Sequence, residues 1–169
     1  NSKDARLSEN CRSFFSGTSK RFFATYKQAC TEADNLLYSL GQQDVINRAC
    51  QDAEIGKLTP TALYVHESAL AALSPILRLY EGCARSYIGR VDGANIIKLN
   101  RSEPKISYLS YPDFEADPHP PLAESLNVHL QTFRVKARNF RGSSNRPILH
   151  RKELFVTSDH PLHFKFSRL

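Results

Sequence analysis

No apolar run in these 169 residues approaches the length that spans a bilayer, which is roughly 20 residues; the longest, such as Ala69 to Leu73, are core-sized. No charged-then-apolar secretory leader opens the chain, so a membrane partner is not expected. Cysteine is scarce and poorly placed for metal. Cys11, Cys30, Cys50 and Cys83 stand 19, 20 and 33 residues apart, with no CxxC pair and no histidine at finger spacing, which argues against a zinc site. Three of them lie among Ala and Leu in helix-like patterns, where a thiol acts as a small apolar residue; they read as reduced, in a cytoplasmic protein. The seven glycines are dispersed. GxGxxG, GxxxxGK[ST] and GxSxG are all missing, so no nucleotide or methyl-donor cofactor is expected within this chain, nor a hydrolase elbow.

What is present suits one globular core, with or without an extension: 41% apolar and 24% charged residues leave no reason to expect wholesale disorder. The net charge is +6, compatible with an anionic partner. Its distribution says more. Arg134, Lys136, Arg138, Arg141, Arg146, Arg151 and Lys152 fall in one stretch without a single acid. The chain opens on Asn1 and closes on Phe166-Ser167-Arg168-Leu169, which reads as a piece of a longer polypeptide.

Periodicity divides the chain into three parts. Residues 1–18 are polar and Ser-rich and read as a linker or disordered entry. Over 19–55, Phe22, Tyr26, Cys30, Ala33, Leu37 and Leu40 step by three or four, with Thr18 or Ser19 as cap and Gly41 as stop. Val45, Ile46, Ala49, Cys50 and Ala53 repeat that step behind a cap at Asp44. The two segments predict a helical hairpin.

Residues 56–169 then predict an α+β domain. Leu63, Tyr64 and Val65 are a strand or the approach to a helix. Ser68 to Arg85 has a helical pattern that Pro75 must interrupt, because an internal proline costs about 3 kcal/mol; Ser74 should cap a second helix from Pro75 to about Ser86. After Gly89 the period becomes two. Ala94, Ile96 and Lys98 share one strand face while Asn95, Ile97 and Leu99 share the other, and Lys105 to Tyr111 forms a hairpin with that strand. Pro120 to Leu126 suggests helical turns, Leu126 to Ala137 one long bulged strand or two short ones, and Ile148 to Val156 another strand. Helices first and then mostly strands is the order of an α+β fold with a mostly antiparallel sheet.

Three groups of residues are candidates for chemistry. In YLSYPDFEADPHPP (Tyr108 to Pro121), Asp113, Glu115, Asp117 and His119 follow a strand end. Clustered carboxylates suit a hard cation, and with Glu153 they suggest a metal-dependent phosphodiesterase. An ordinary Asp/Pro turn accounts for the same residues, and the Glu-x-Lys or Asp-x-Lys tripeptide of a PD-(D/E)xK nuclease is missing. The catalytic candidates are therefore Asp113, Asp117, His119, His150 and Glu153, with no metal ligand set assigned. In PILHRKELF, Arg151 and Lys152 could meet phosphates, or simply protect an edge strand. Arg134, Lys136 and Arg138 alternate with Val135 and Ala137, so three cations share one strand face, flanked by Arg141 and Arg146. That pattern suits a nucleic-acid backbone, or a plain solvated face.

Five stretches taken together, GKLTPTALYVH (Gly56–His66), LRLYEGCAR (Leu77–Arg85), GANIIKL (Gly93–Leu99), SYLSYPDFEADPHP (Ser107–Pro120) and PILHRKELF (Pro147–Phe155), resemble bacterial DNA phosphorothioation-associated methyltransferases. The likeness covers most of the chain from about Phe22. In that family the donor-binding domain is a separate part of a longer polypeptide, so the resemblance implies S-adenosylmethionine for the parent protein and none here. It implies an accessory segment whose partners are DNA and the adjoining methyltransferase domain. A purely structural interaction module is the remaining alternative.

Overall fold

The computed structural model describes residues 26–168; the expectations for 1–18, Cys11, Phe22 and a cap at Thr18 or Ser19 lie outside them. The chain divides into two compact units, Asn1–Ser39 and Leu40–Leu169, a boundary that falls between the two helices expected as one hairpin. In the first unit, α1 (Tyr26–Ser39) carries Tyr26, Cys30, Ala33 and Leu37 at helical spacing, and none of its residues is buried.

The second unit is α+β: α2 (Gln43–Gln51), β1 (Lys57–Leu58), β2 (Ala62–His66), a 3-10 turn (Glu67–Ala72) and α3 (Pro75–Ile88), followed by β3 (Ile96–Asn100), β4 (Lys105–Ser110), β5 (Glu124–His129) and β6 (Arg134–Asn139). The six strands form one antiparallel sheet in chain order. Gln42 occupies the cap position of α2, and Asp44 instead sits in its first turn, where a carboxylate meets the positive end of the helix. The break at Pro75 is found. Pro75 opens α3, where its missing N–H costs nothing, with Ser74 in the cap position but making no side-chain cap bond. The helix stops at Gly89, whose φ of 77° needs glycine. Gly56 is held more tightly still: at φ +107° an added Cβ would lie 2.6 Å from Val65 Cγ1 and 2.9 Å from the Tyr64 carbonyl oxygen.

Three expectations are corrected or settled. Pro120 to Leu126 is extended rather than helical, because Glu124 and Ser125 pair with Ser110 and Leu109 and the Ala123 N–H donates to the Ser110 carbonyl at 2.8 Å. Leu126 to Ala137 is two strands, turned at Phe133 with φ 54°. Ile148 to Val156 is not a strand. It makes a single bridge, Pro121 to Ile148; Arg151 then adopts φ 63°, and Lys152–Phe155 forms a 3-10 turn. A short helix, α4 (His163–Phe166), follows.

Strand parity divides the sheet into two faces. Leu63, Val65, Ile97, Leu99, Ile106, Tyr108 and Val128 pack against Ile46 and Cys50 of α2 and Leu77, Tyr80 and Ala84 of α3. Each fully buried Leu or Ile there contributes about 1.5–3 kcal/mol. Glu81, only 5% exposed, is paired within this layer with Arg85 at 2.8 Å and accepts from the Tyr108 hydroxyl at 2.9 Å. On the opposite face only one end is apolar. There Ile96 and Leu109 are covered by Tyr111, Phe114, Leu122, Leu149, Phe155, Val156 and Phe166. The other end, toward β6, is polar: Ser107 and Ser125 are buried there, and Arg134, Lys136 and Arg138 are exposed. Among the described residues no helix is long and apolar enough to cross a membrane.

Candidate nucleic-acid interface

The uncovered end of that face begins at β6. All six of its residues are exposed, and period-two alternation sends Arg134, Lys136 and Arg138 to the open side. The register aligns them with interior residues: Lys136 pairs with Asn127 and Arg134 with His129, and these in turn pair with Ser107 and Lys105 on β4. Lys105, Asn127, His129, Arg134, Lys136 and Arg138 line a depression of about 280 Å³. The floor is fastened by hydrogen bonds. The Ser107 hydroxyl donates to Asn127 Oδ1 at 2.7 Å, and Asn127 Nδ2 donates to the Lys136 carbonyl at 3.3 Å. Lys98, paired with Ser107, lies with its ammonium 5.2 Å from the centre of the Tyr64 ring. Lys105 shares its charge with Glu103 at 2.7 Å. Among the described residues none of Arg134, Lys136 and Arg138 is in an ion pair, so their charge is free to meet an anion.

The rest of the acid-free stretch does not extend this surface. Arg141 is exposed and pairs with Glu124 at 3.1 Å. Arg146 donates to the Leu122 and Pro121 carbonyls at 2.8 and 3.1 Å, which fastens its own loop. Arg151 is exposed and pairs with Glu153 at 2.8 Å. Lys152 is a correction: it is 2% exposed and its ammonium donates to the Phe114 and Asp117 carbonyls at 2.7 and 2.8 Å, 4.4 Å from the Phe166 ring centre. Burial lowers its pKa, chiefly by desolvation, with Lys165 adding to the effect. The amine is thus committed to two backbone carbonyls and not left free for a phosphate.

The acidic turn is built as a turn. The Asp113 carbonyl accepts from the N–H groups of Ala116 and Asp117 at 3.1 and 2.9 Å, and Asp117 Oδ1 accepts from the His119 N–H at 2.9 Å. Asp113 and Glu115 project into solvent. His119 and His150 do meet, with ring centres 4.7 Å apart. Both border a depression of about 210 Å³ with Arg151, Lys152 and Glu153. Asp113 has no part in it, and among the described residues no three His, Cys, Asp or Glu side chains gather closely enough to hold a metal ion. The phosphodiesterase set Asp113, Asp117, His119 and Glu153 is therefore not assembled.

Sequence reasoning missed Lys98, Lys105, Asn127, Ser107 and His129 as partners of β6. The available signal was parity: Lys105 and Ser107 alternate with Ile106 and Tyr108, so a polar row had to face away from the helices. It also missed His66, which stacks on Phe114 at 4.7 Å and lies 5.7 Å from His160. Burial, reinforced by His160, lowers its pKa to about 4. No protein-family model, curated protein or solved structure matches the chain.

Proposed function

We propose that this chain binds nucleic acid through the open polar face of its sheet. The observation that carries the reading is the set of three cations, Arg134, Lys136 and Arg138, in no ion pair among the described residues and aligned along an edge strand beside Lys105 and Asn127. At about 3.3 Å per residue, alternate cations stand about 7 Å apart in a line, a spacing that lets one backbone be held at several points. The resemblance to DNA phosphorothioation-associated methyltransferases supports DNA as the ligand. It supports the role of an accessory segment in the cytoplasm, with S-adenosylmethionine held by the adjoining domain of the parent protein. Catalysis has no support comparable to that for binding, since the acids singled out by their spacing form a turn.

Fluorescence anisotropy with labelled DNA at about 50 and 200 mM salt tests the reading. Binding that weakens steeply with salt is expected, and a variant carrying Arg134→Gln, Lys136→Gln and Arg138→Gln should lose most of that dependence. Absence of binding at the lower salt would rule the proposal out.

A further inference from the structure

The sheet register narrows which kind of nucleic acid this face fits. Lys98, Ser107, Asn127 and Lys136 are successive partners on β3, β4, β5 and β6, so they form one row at right angles to the strands. With strands about 4.8 Å apart, the row reaches about 14 Å inward from the sheet edge. Lys105, His129 and Arg134 make a parallel row two residues along, and this row lines the depression together with Asn127, Lys136 and Arg138. The floor is recessed: Ser107 is 3% exposed and Lys98 and Asn127 are half-buried, while Arg134, Lys136 and Arg138 stand in solvent.

A duplex is a stiff cylinder with phosphates on its outer ridges. Laid against this face it meets the projecting cations of β6 and passes above the recessed row. A single strand bends with the floor and turns its bases out, so it reaches the half-buried Asn127 and Lys98, which a duplex does not. One flat ring borders the depression, that of His129 on β5 beside Arg134, while Tyr64 is packed on the apolar cover with the Lys98 ammonium over its ring. We infer, resting on the nucleic-acid reading above, that this face takes single-stranded nucleic acid laid across the strands from Lys136 over Asn127 to Lys98, with the buried Ser107 holding Asn127 in place from beneath.

Anisotropy of the whole chain with a labelled single strand, and with the same sequence as a duplex, separates the two levels. The single strand is expected to bind at least about tenfold more tightly, and Lys98→Gln and Lys136→Gln should each reduce the log–log salt slope by about 0.7. Circular dichroism and a urea midpoint confirm that each variant folds; Lys105→Gln, from the second row, replaces Lys98→Gln if that variant does not. Equal affinity for strand and duplex, or interior-strand variants without effect, overturns the single-strand inference and leaves the nucleic-acid reading standing. No salt-dependent binding of either probe overturns both.

Discussion

Lys136 and Lys152 belong to the same acid-free stretch. One is exposed on an edge strand; the other is 2% exposed, with its ammonium on two backbone carbonyls. The difference lies in the local backbone. Around Lys136 the chain stays extended, so parity alone directs the side chain outward. Before Lys152 the left-handed Arg151 ends the extended run, and the 3-10 turn swings the next side chain inward. A buried ammonium is tolerated only where its hydration is replaced. Here the Phe114 and Asp117 carbonyls and the Phe166 ring do that. Positive charge in a sequence is thus of two kinds, one free for a ligand and one fastening a loop.

The largest effect should come from the inward lysine. Lys152→Ala leaves two carbonyls without their donor and opens a cavity beside Phe166, and should cost about 3–5 kcal/mol in urea unfolding. Its salt slope for nucleic-acid binding should stay at the wild-type value. A stable variant with weakened binding would place Lys152 among the ligand-facing cations and erase the contrast with Lys136.

His66 comes next, because it lies under the same C-terminal cover. Its pKa is lowered to about 4 by burial and by His160, so the folded state holds the neutral ring while the unfolded chain takes up a proton below about 6.5. The stability it contributes is complete above that pH and is lost as pH falls from about 6.5 to 4. That amounts to roughly 2–3 kcal/mol after allowance for partial exposure. Unfolding midpoints across this range should show the slope, and His66→Gln should flatten it. A smaller loss, about 2 kcal/mol, is expected for Gly56→Ala, where positive φ and contact with Val65 both oppose a Cβ.

The outward cations should matter least to folding. Replacing Arg134, Lys136 and Arg138 by Gln together should shift stability by no more than about 0.5 kcal/mol per position. For a single-stranded probe the same change should lower the salt slope by about 2, at about 0.7 per phosphate contact. If that triple variant unfolded like Lys152→Ala, the two kinds of charge would not be distinct.

Much of the architecture was legible because it is local. Leu77, Tyr80 and Ala84 at helical spacing, the stop at Pro75 and the alternation of Ile97 and Leu99 each reflect the period of a single element. Failures came where pairing partners are distant. Glu124 and Ser125 look helical by composition yet are drawn into the sheet by β4. Ile148 to Val156 has strand-like residues but finds only one bridge. The candidate site was half legible: the face of β6 followed from alternation, whereas Lys98 and Lys105 join it only through register.

Residue order was enough for the α+β class, the helix that begins at Pro75 and the shared side of Arg134, Lys136 and Arg138, since propensity and period act within a few neighbours. Which cations meet solvent, which acids gather and which histidine loses its charge depended on packing. Phe114 and Asp117 come to Lys152 from 38 and 35 residues away, and desolvation is set by whatever atoms arrive there, not by the chain on either side.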